Sequence, residues 1–116
     1  MEEIIGLLFY ARNVAHREHL KTKSYAQHVA LGSFYDEVID LVDKLAEAYQ
    51  GEQGLLKDVP LFGKSPTDPI DVFLEKQMKT IESLRVGASK LTAIQNIIDE
   101  VIGLYLSTLY KLRNLS

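Results

Sequence analysis

Apolar residues recur every three or four positions in four separate stretches of the chain, the spacing of helices that bury one face. In the first, residues 2–21, Ile4, Leu8, Ala11, Ala15 and His19 form one ridge and Ile5, Phe9, Arg12 and His16 the next. A Lys21-Thr22-Lys23 break ends it, with cations placed against the C-terminal dipole. Ser24 followed by Gln27 makes a capping-box pattern and opens a second helix over 25–50. His28, Leu31, Tyr35, Val38, Val42, Leu45 and Tyr49 point inward from that helix, and Gly51 is its predicted C-cap. Asp68-Pro69 reads as an acidic N-cap and a first-turn proline, starting a third helix over 69–86. Ile70, Phe73, Leu74, Gln77, Ile81 and Leu84 are its inner positions and Gly87 its stop. Ser89 or Thr92 caps a fourth helix over 92–114, which carries Ile94, Ile97, Ile98, Val101, Ile102, Tyr105, Leu109 and Leu112. No stretch alternates with the period of a strand. The pattern predicts one all-α domain, residues 1–116, folded as a four-helix bundle.

Between the second and third helices lies the only substantial loop, GEQGLLKDVPLFGKSPT. Its glycines and prolines punctuate it as irregular chain. Leu55, Leu56, Val59, Leu61 and Phe62 are too many apolar groups for a free linker, so the loop is expected to pack back over the bundle as a crossover. The fourth helix is apolar around more than half its circumference, which predicts a homo-oligomer that shares this surface.

Composition narrows the function classes. A net charge of −3 argues against a binder of duplex nucleic acid driven by counterion release. The absence of cysteine removes disulfides, thiolate metal sites and thiol nucleophiles, and fits a reducing, cytoplasmic setting. No apolar run approaches the ~20 residues of a membrane span.

Candidate chemistry concentrates in residues 16–51. All three histidines, His16, His19 and His28, flank the break between the first two helices. Imidazole is the commonest protein ligand of transition metals, and converging histidines suit zinc, or iron with help from a carboxylate. The same hinge also has the parts of an anion site: Ser24 opens a helix whose first-turn amides are unpaired, with Lys21, Lys23 and Tyr25 beside it. Asp36, Asp40, Asp43 and Glu47 line one side of the second helix. The plainer alternatives are core or exposed histidines, a capped turn with solvated lysines, and a solvated acidic face.

The stretch HREHLKTKSYAQHVALGSFYDEVIDLVDKLAE resembles the first half of the Dps proteins, small ferritin-like iron-storage proteins. The strings TKSYAQH, LGSFYDE and DLVDKLAEAYQG and the ending IIDEVIGLYLSTLYKL are similar to those of small Dps-like proteins of bacteriophages. The resemblance implies a ferritin/Dps-like bundle and a metal site made from His19, His28, Asp43 and Glu47, the two carboxylates reaching a neighbouring subunit's histidines. Gly32 stands where Dps proteins place a further carboxylate, and no Glu-x-x-His pair occurs. A phage source implies a location in the cytoplasm of the infected bacterium.

Two functional expectations follow. In the first, the protein is a non-catalytic oligomer that sequesters a small phosphorylated ligand, such as a nucleotide immune signal of the host. His16, His19, Lys21, Lys23, Ser24, Tyr25 and His28 surround that ligand. In the second, it is a Dps-like protein that binds or oxidises iron, or holds zinc, at His19, His28, Asp43 and Glu47.

Overall fold

The computed structural model describes all 116 residues. It contains four helices and no strand: α1 Glu2–Lys21, α2 Tyr25–Gln53, α3 Ile70–Ala88 and α4 Thr92–Asn114. The bundle measures 44 × 25 × 21 Å. α1 packs against α2 and α3, and α4 completes the ring by packing against the same two helices. α1 and α4 therefore lie across one diagonal, and α2 and α3 across the other.

Helix directions follow from the connections. The break at Thr22–Ser24 turns α2 back along α1. The crossover, residues 54–69, then climbs the outside of α1. The Lys57 amide donates to Glu2 Oε2 at 2.9 Å, the Tyr10 hydroxyl to the Lys64 carbonyl at 2.5 Å, and Arg17 to Ser65 Oγ at 3.0 Å. The hydrogen bond from the Lys57 amide holds the Glu2 carboxyl below its ordinary pKa. Glu2, Gly6, Tyr10 and Arg17 fall on a single stripe of α1. Gly6 belongs there because a Cβ would lie 2.6 Å from the Pro60 carbonyl oxygen and 2.9 Å from Pro60 Cγ. α3 thus begins at the hinge end and descends parallel to α2 across the bundle, and α4 returns upward. Every pair of packed neighbours is antiparallel. The crossover packs as expected through Leu56, Val59 and Phe62, but Leu55 and Leu61 stay in solvent.

Several boundaries differ from those the sequence predicts. α2 does not end at Gly51 but runs on to Gln53 and stops at Gly54, whose φ of 90° is the left-handed conformation that glycine adopts without a Cβ penalty. The extra turn is held by the crossover and the α3–α4 turn: Gln50 Oε1 accepts from the Leu56 amide, and Ser89 Oγ donates to Glu52 Oε1 at 2.6 Å. α3 passes through Gly87 to bury Ala88. Asp68 does not cap α3; its carboxylate pairs with Lys76 at 2.9 Å, and Pro69 is the N-cap. Thr92 is the first residue of α4 rather than its cap, while Ser89 Oγ accepts the Leu91 amide. Gln95 closes this turn by donating to the carbonyls of Arg85 and Ser89.

The core runs the length of the bundle, from Ala15, Leu31 and Leu74 towards the hinge end to Ile4, Leu45 and Ile94 at the other. Phe34 is completely buried, edge-on to Tyr105 at 5.1 Å, whereas Tyr35 and Tyr49 are only half-buried. The inner seam of α2 keeps Leu31, Val38, Val42 and Leu45 as predicted, with Phe34 taking the place expected of Tyr35. Tyr105 has no exposed surface, and neither its hydroxyl nor Gln77 Oε1 meets a protein partner. Burial pushes the Tyr105 phenol well above its ordinary pKa, so it stays neutral.

Two stability outcomes are expected, both read by urea denaturation. Gly6→Ala forces Pro60 off α1 and should destabilise the fold by about 1–3 kcal/mol. Tyr105→Phe removes a buried hydroxyl that lost its water on folding, and should stabilise it by about 1 kcal/mol. A neutral Gly6→Ala, or a destabilising Tyr105→Phe, would show that these contacts are misassigned.

Candidate functional site at the α1–α2 hinge

The turn between α1 and α2 is only three residues long and is closed by its own side chains. The Ser24 amide donates to Thr22 Oγ1 at 3.1 Å, and Ser24 Oγ accepts the Gln27 amide at 3.2 Å. This is the N-cap expected of Ser24. The amides of Tyr25 and Ala26, at the very start of α2, donate to no protein group.

Two histidines clasp the hinge. His28 Nδ1 lies 2.8 Å from the His19 carbonyl, and His19 Nδ1 lies 2.6 Å from the His28 carbonyl. A carbonyl oxygen only accepts, so both Nδ1 atoms carry hydrogen and, in the neutral rings, both Nε2 atoms keep a lone pair. The His19 carbonyl belongs to the last turn of α1, where helical geometry leaves oxygens unpaired. His28 thus caps α1, and His19 returns a bond to α2. The rings stack at 3.6 Å between centroids with 18° between planes. Gly32 makes this approach feasible: a Cβ there would sit 3.1 Å from His19 Cε1. Gly32 is therefore the seat of the His19 ring.

His16 joins the cluster from one turn earlier. Its ring stacks on Tyr35 at 4.1 Å, nearly parallel, and its centroid lies 6.1 Å from that of His19. The Arg12 guanidinium carbon is 5.2 Å from the Tyr35 ring centre. No carboxylate forms an ion pair with any of the three histidines.

Within one chain this donor set does not fit a metal. No three His, Asp or Glu side chains converge. The lone pairs of these rings lie in stacked planes only 18° apart and so do not meet at one point between them. Asp43 and Glu47 are exposed on α2 about 22 Å and more beyond His28 along the helix axis. Asp36 and Asp40 are exposed as well.

The hinge lysines part company. Lys21 pairs with Glu18 at 3.2 Å and lines a cleft of about 350 Å³ with Val14, Thr67, Asp68 and Ile70, under the arrival of the crossover. Lys23 is exposed and makes no ion pair. Tyr25, 82% exposed, borders a second groove of about 390 Å³. Ala26, Val29 and Ala30 form its α2 side, and Lys111, Leu115 and Ser116 its α4 side. The seven residues expected around one ligand are therefore divided: the three histidines form the α1–α2 cluster, Lys21 faces the crossover cleft, and Tyr25 borders the groove. Val29, Lys111 and Leu115 carry no sequence signal for this groove, because only the return of α4 beside the start of α2 assembles it. Gly32 and Tyr35 were legible as helix positions but not as the partners of His19 and His16.

Two glycines of α2 test the clasp with the same substitution. Gly32→Ala should cost about 1–3 kcal/mol by pushing His19 out of its seat. Gly51→Ala, where a Cβ meets nothing within 4 Å, should instead stabilise by about 0.5–1 kcal/mol through helix propensity. Denaturant midpoints that move in the same direction for both variants would refute the assigned role of Gly32.

No solved structure matches this chain. An uncharacterized 14.6 kDa protein in the mobD-ri intergenic region of Enterobacteria phage T4 is 34% identical over 113 residues, covering 96% of this chain and 86% of that protein. The chain is thus related to a phage protein along nearly its whole length. The model of the family of unknown function DUF5856 matches residues 19–112, from the first histidine of the clasp to the last turn of α4, and the chain belongs to that family.

Proposed function

We propose that the protein is a non-catalytic binding protein that sequesters a small phosphorylated ligand of nucleotide type at the start of α2, in the cytoplasm of an infected bacterium. The observation that carries this reading is the groove between the start of α2 and the end of α4. Its wall is mostly apolar, and Tyr25 stands at its edge with an unburied ring suited to stacking on a planar base. The unpaired amides of Tyr25 and Ala26 lie at the positive end of the α2 dipole, where a phosphate gains hydrogen bonds and field together. Lys23 and Lys111 supply point charge without demanding a fixed geometry. His19 and His28 act here as positioning residues, because their clasp holds the first turn of α2 in place. A sponge for a host nucleotide signal is the biological form this takes for a phage protein.

A ferritin/Dps-like identity is the second reading. It is favoured by the single crossover between α2 and α3, which is the plan of ferritin-like bundles, and by the free Nε2 lone pairs of His19 and His28. It requires Asp43 and Glu47 to come from another subunit.

Calorimetry with cyclic dinucleotides, cyclic trinucleotides and ADP-ribose derivatives tests the first reading. The parent should bind a member of the panel. Tyr25→Ala and the Lys23→Ala/Lys111→Ala double variant should each bind at least about tenfold more weakly, a loss of ~1.4 kcal/mol. No binding in the parent, or unchanged binding in both variants, defeats it. A melting temperature raised by ferrous iron or zinc in the parent and not in His28→Ala would favour the second reading instead.

A further inference from the structure

α4 buries one side in the bundle and turns another to solvent. On that outer side Asp99, Gly103, Leu106, Tyr110 and Arg113 follow one another at intervals of four and three, so they form a single stripe along the helix. This is the spacing of a coiled-coil seam. Leu106 is 53% and Tyr110 59% exposed. Gly103 has open space where its Cβ would be. Asp99 and Arg113 bound the apolar centre at opposite ends, with side chains 61% and 37% exposed.

We infer that this stripe is the contact between two copies of the chain, paired antiparallel through α4 about a two-fold axis at Leu106. The argument is self-complementarity. A two-fold contact places each residue against the one equally far on the other side of the axis. Here that sets Leu106 against the partner's Leu106. It brings Tyr110, four residues past the axis, closest on the stripe to the partner's Gly103, three residues before it. With an offset of about 1.5 Å, a large ring then lies over the one position with no side chain. It sets Asp99 beside the partner's Arg113, acid against base at both ends. No parallel pairing does this, since it would put Asp99 on the partner's Asp99 and Tyr110 on the partner's Tyr110. The antiparallel arrangement also brings the helix dipoles head to tail.

The charged ends are already held in place within each chain. Arg85 holds Asp99 at 2.6 Å, and Asp71 and Glu75 hold Arg113 at 3.1 and 3.3 Å. Pairing joins these into one network from α3 of one copy to α3 of the other, without leaving a charge unpaired. The inference does not rest on the ligand reading, because none of the five stripe residues lines the groove.

Sedimentation equilibrium of the full chain, with chemical cross-linking, tests it. The parent should be a dimer at micromolar concentration. Leu106→Asp puts two like charges on the axis and should raise the dimer dissociation constant at least about tenfold. The site is exposed, so the helix content and melting of the isolated chain should persist. The chain has no native cysteine, so Leu106→Cys gives a unique thiol that a short bismaleimide should join into dimers. Leu61→Cys, at a 94% exposed position on the crossover, should not be joined into covalent dimers by the same reagent. A monomeric parent, a Leu106→Asp variant that dimerises like the parent, or equal cross-linking of the two cysteine variants overturns the proposal.

Discussion

The hinge depends on two imidazoles that exchange hydrogen bonds across a three-residue turn. Each ring donates to the carbonyl of the other residue, and the faces stack at 3.6 Å. The consequence is geometric. A tight turn by itself leaves the crossing of two long helices free to swing. A reciprocal pair of bonds with a stacked interface fixes the orientation of the first turn of α2 against the last turn of α1. Gly32 is part of the same device, because a methyl group there would occupy the space of the His19 ring. His19 and His28, the two histidines that the resemblance to Dps proteins would assign to a metal centre, therefore do mechanical work within a single chain.

From that hinge the rest of the topology follows through the crossover. Its backbone and side chains are tied to one stripe of α1, from Glu2 to Arg17, so α3 starts at the hinge end rather than at the far end. α4 then rises beside α2, and its last turns come to rest against the start of α2. The groove that borders Tyr25 exists only because of this return. At the other end the Gln95 amide, Ser89 and Glu52 bind the α3–α4 turn to the end of α2. Arg85 joins that turn as well, donating to the Gln95 side chain and carbonyl and to Asp99. Both ends of the bundle are thus closed by side-chain hydrogen bonds to main-chain carbonyls.

Hydrophobic periodicity was enough to find the four helices, the break at Lys21–Ser24 and the limits of α4, because each rests on local signals. It misplaced the ends of α2 and α3. A glycine costs a helix about 1 kcal/mol relative to alanine, less than one more turn gains when that turn is packed. Gly51 and Gly87 are passed for this reason, and Gly54 ends α2 where the crossover must leave. Asp68 illustrates the opposite limit: it looks like a cap, but Lys76 competes for it. The histidine cluster was visible as a cluster, since its members are near in sequence. Its tautomers, its stacking and the role of Gly32 were not, because they depend on how α1 and α2 face each other. The groove was invisible for the stronger reason that Val29 and Lys111 lie far apart in the chain.

The central claim is the reciprocal clasp, and long-range proton–nitrogen correlation spectra of the histidine rings test it most directly. Recorded at alkaline pH, where imidazoles are neutral, they identify which nitrogen of each ring carries hydrogen. The clasp requires His19 and His28 both to carry it on Nδ1, with Nε2 unprotonated in each. A spectrum showing either ring protonated on Nε2 and bare at Nδ1 would contradict the account, because that ring would have no proton to donate across the hinge.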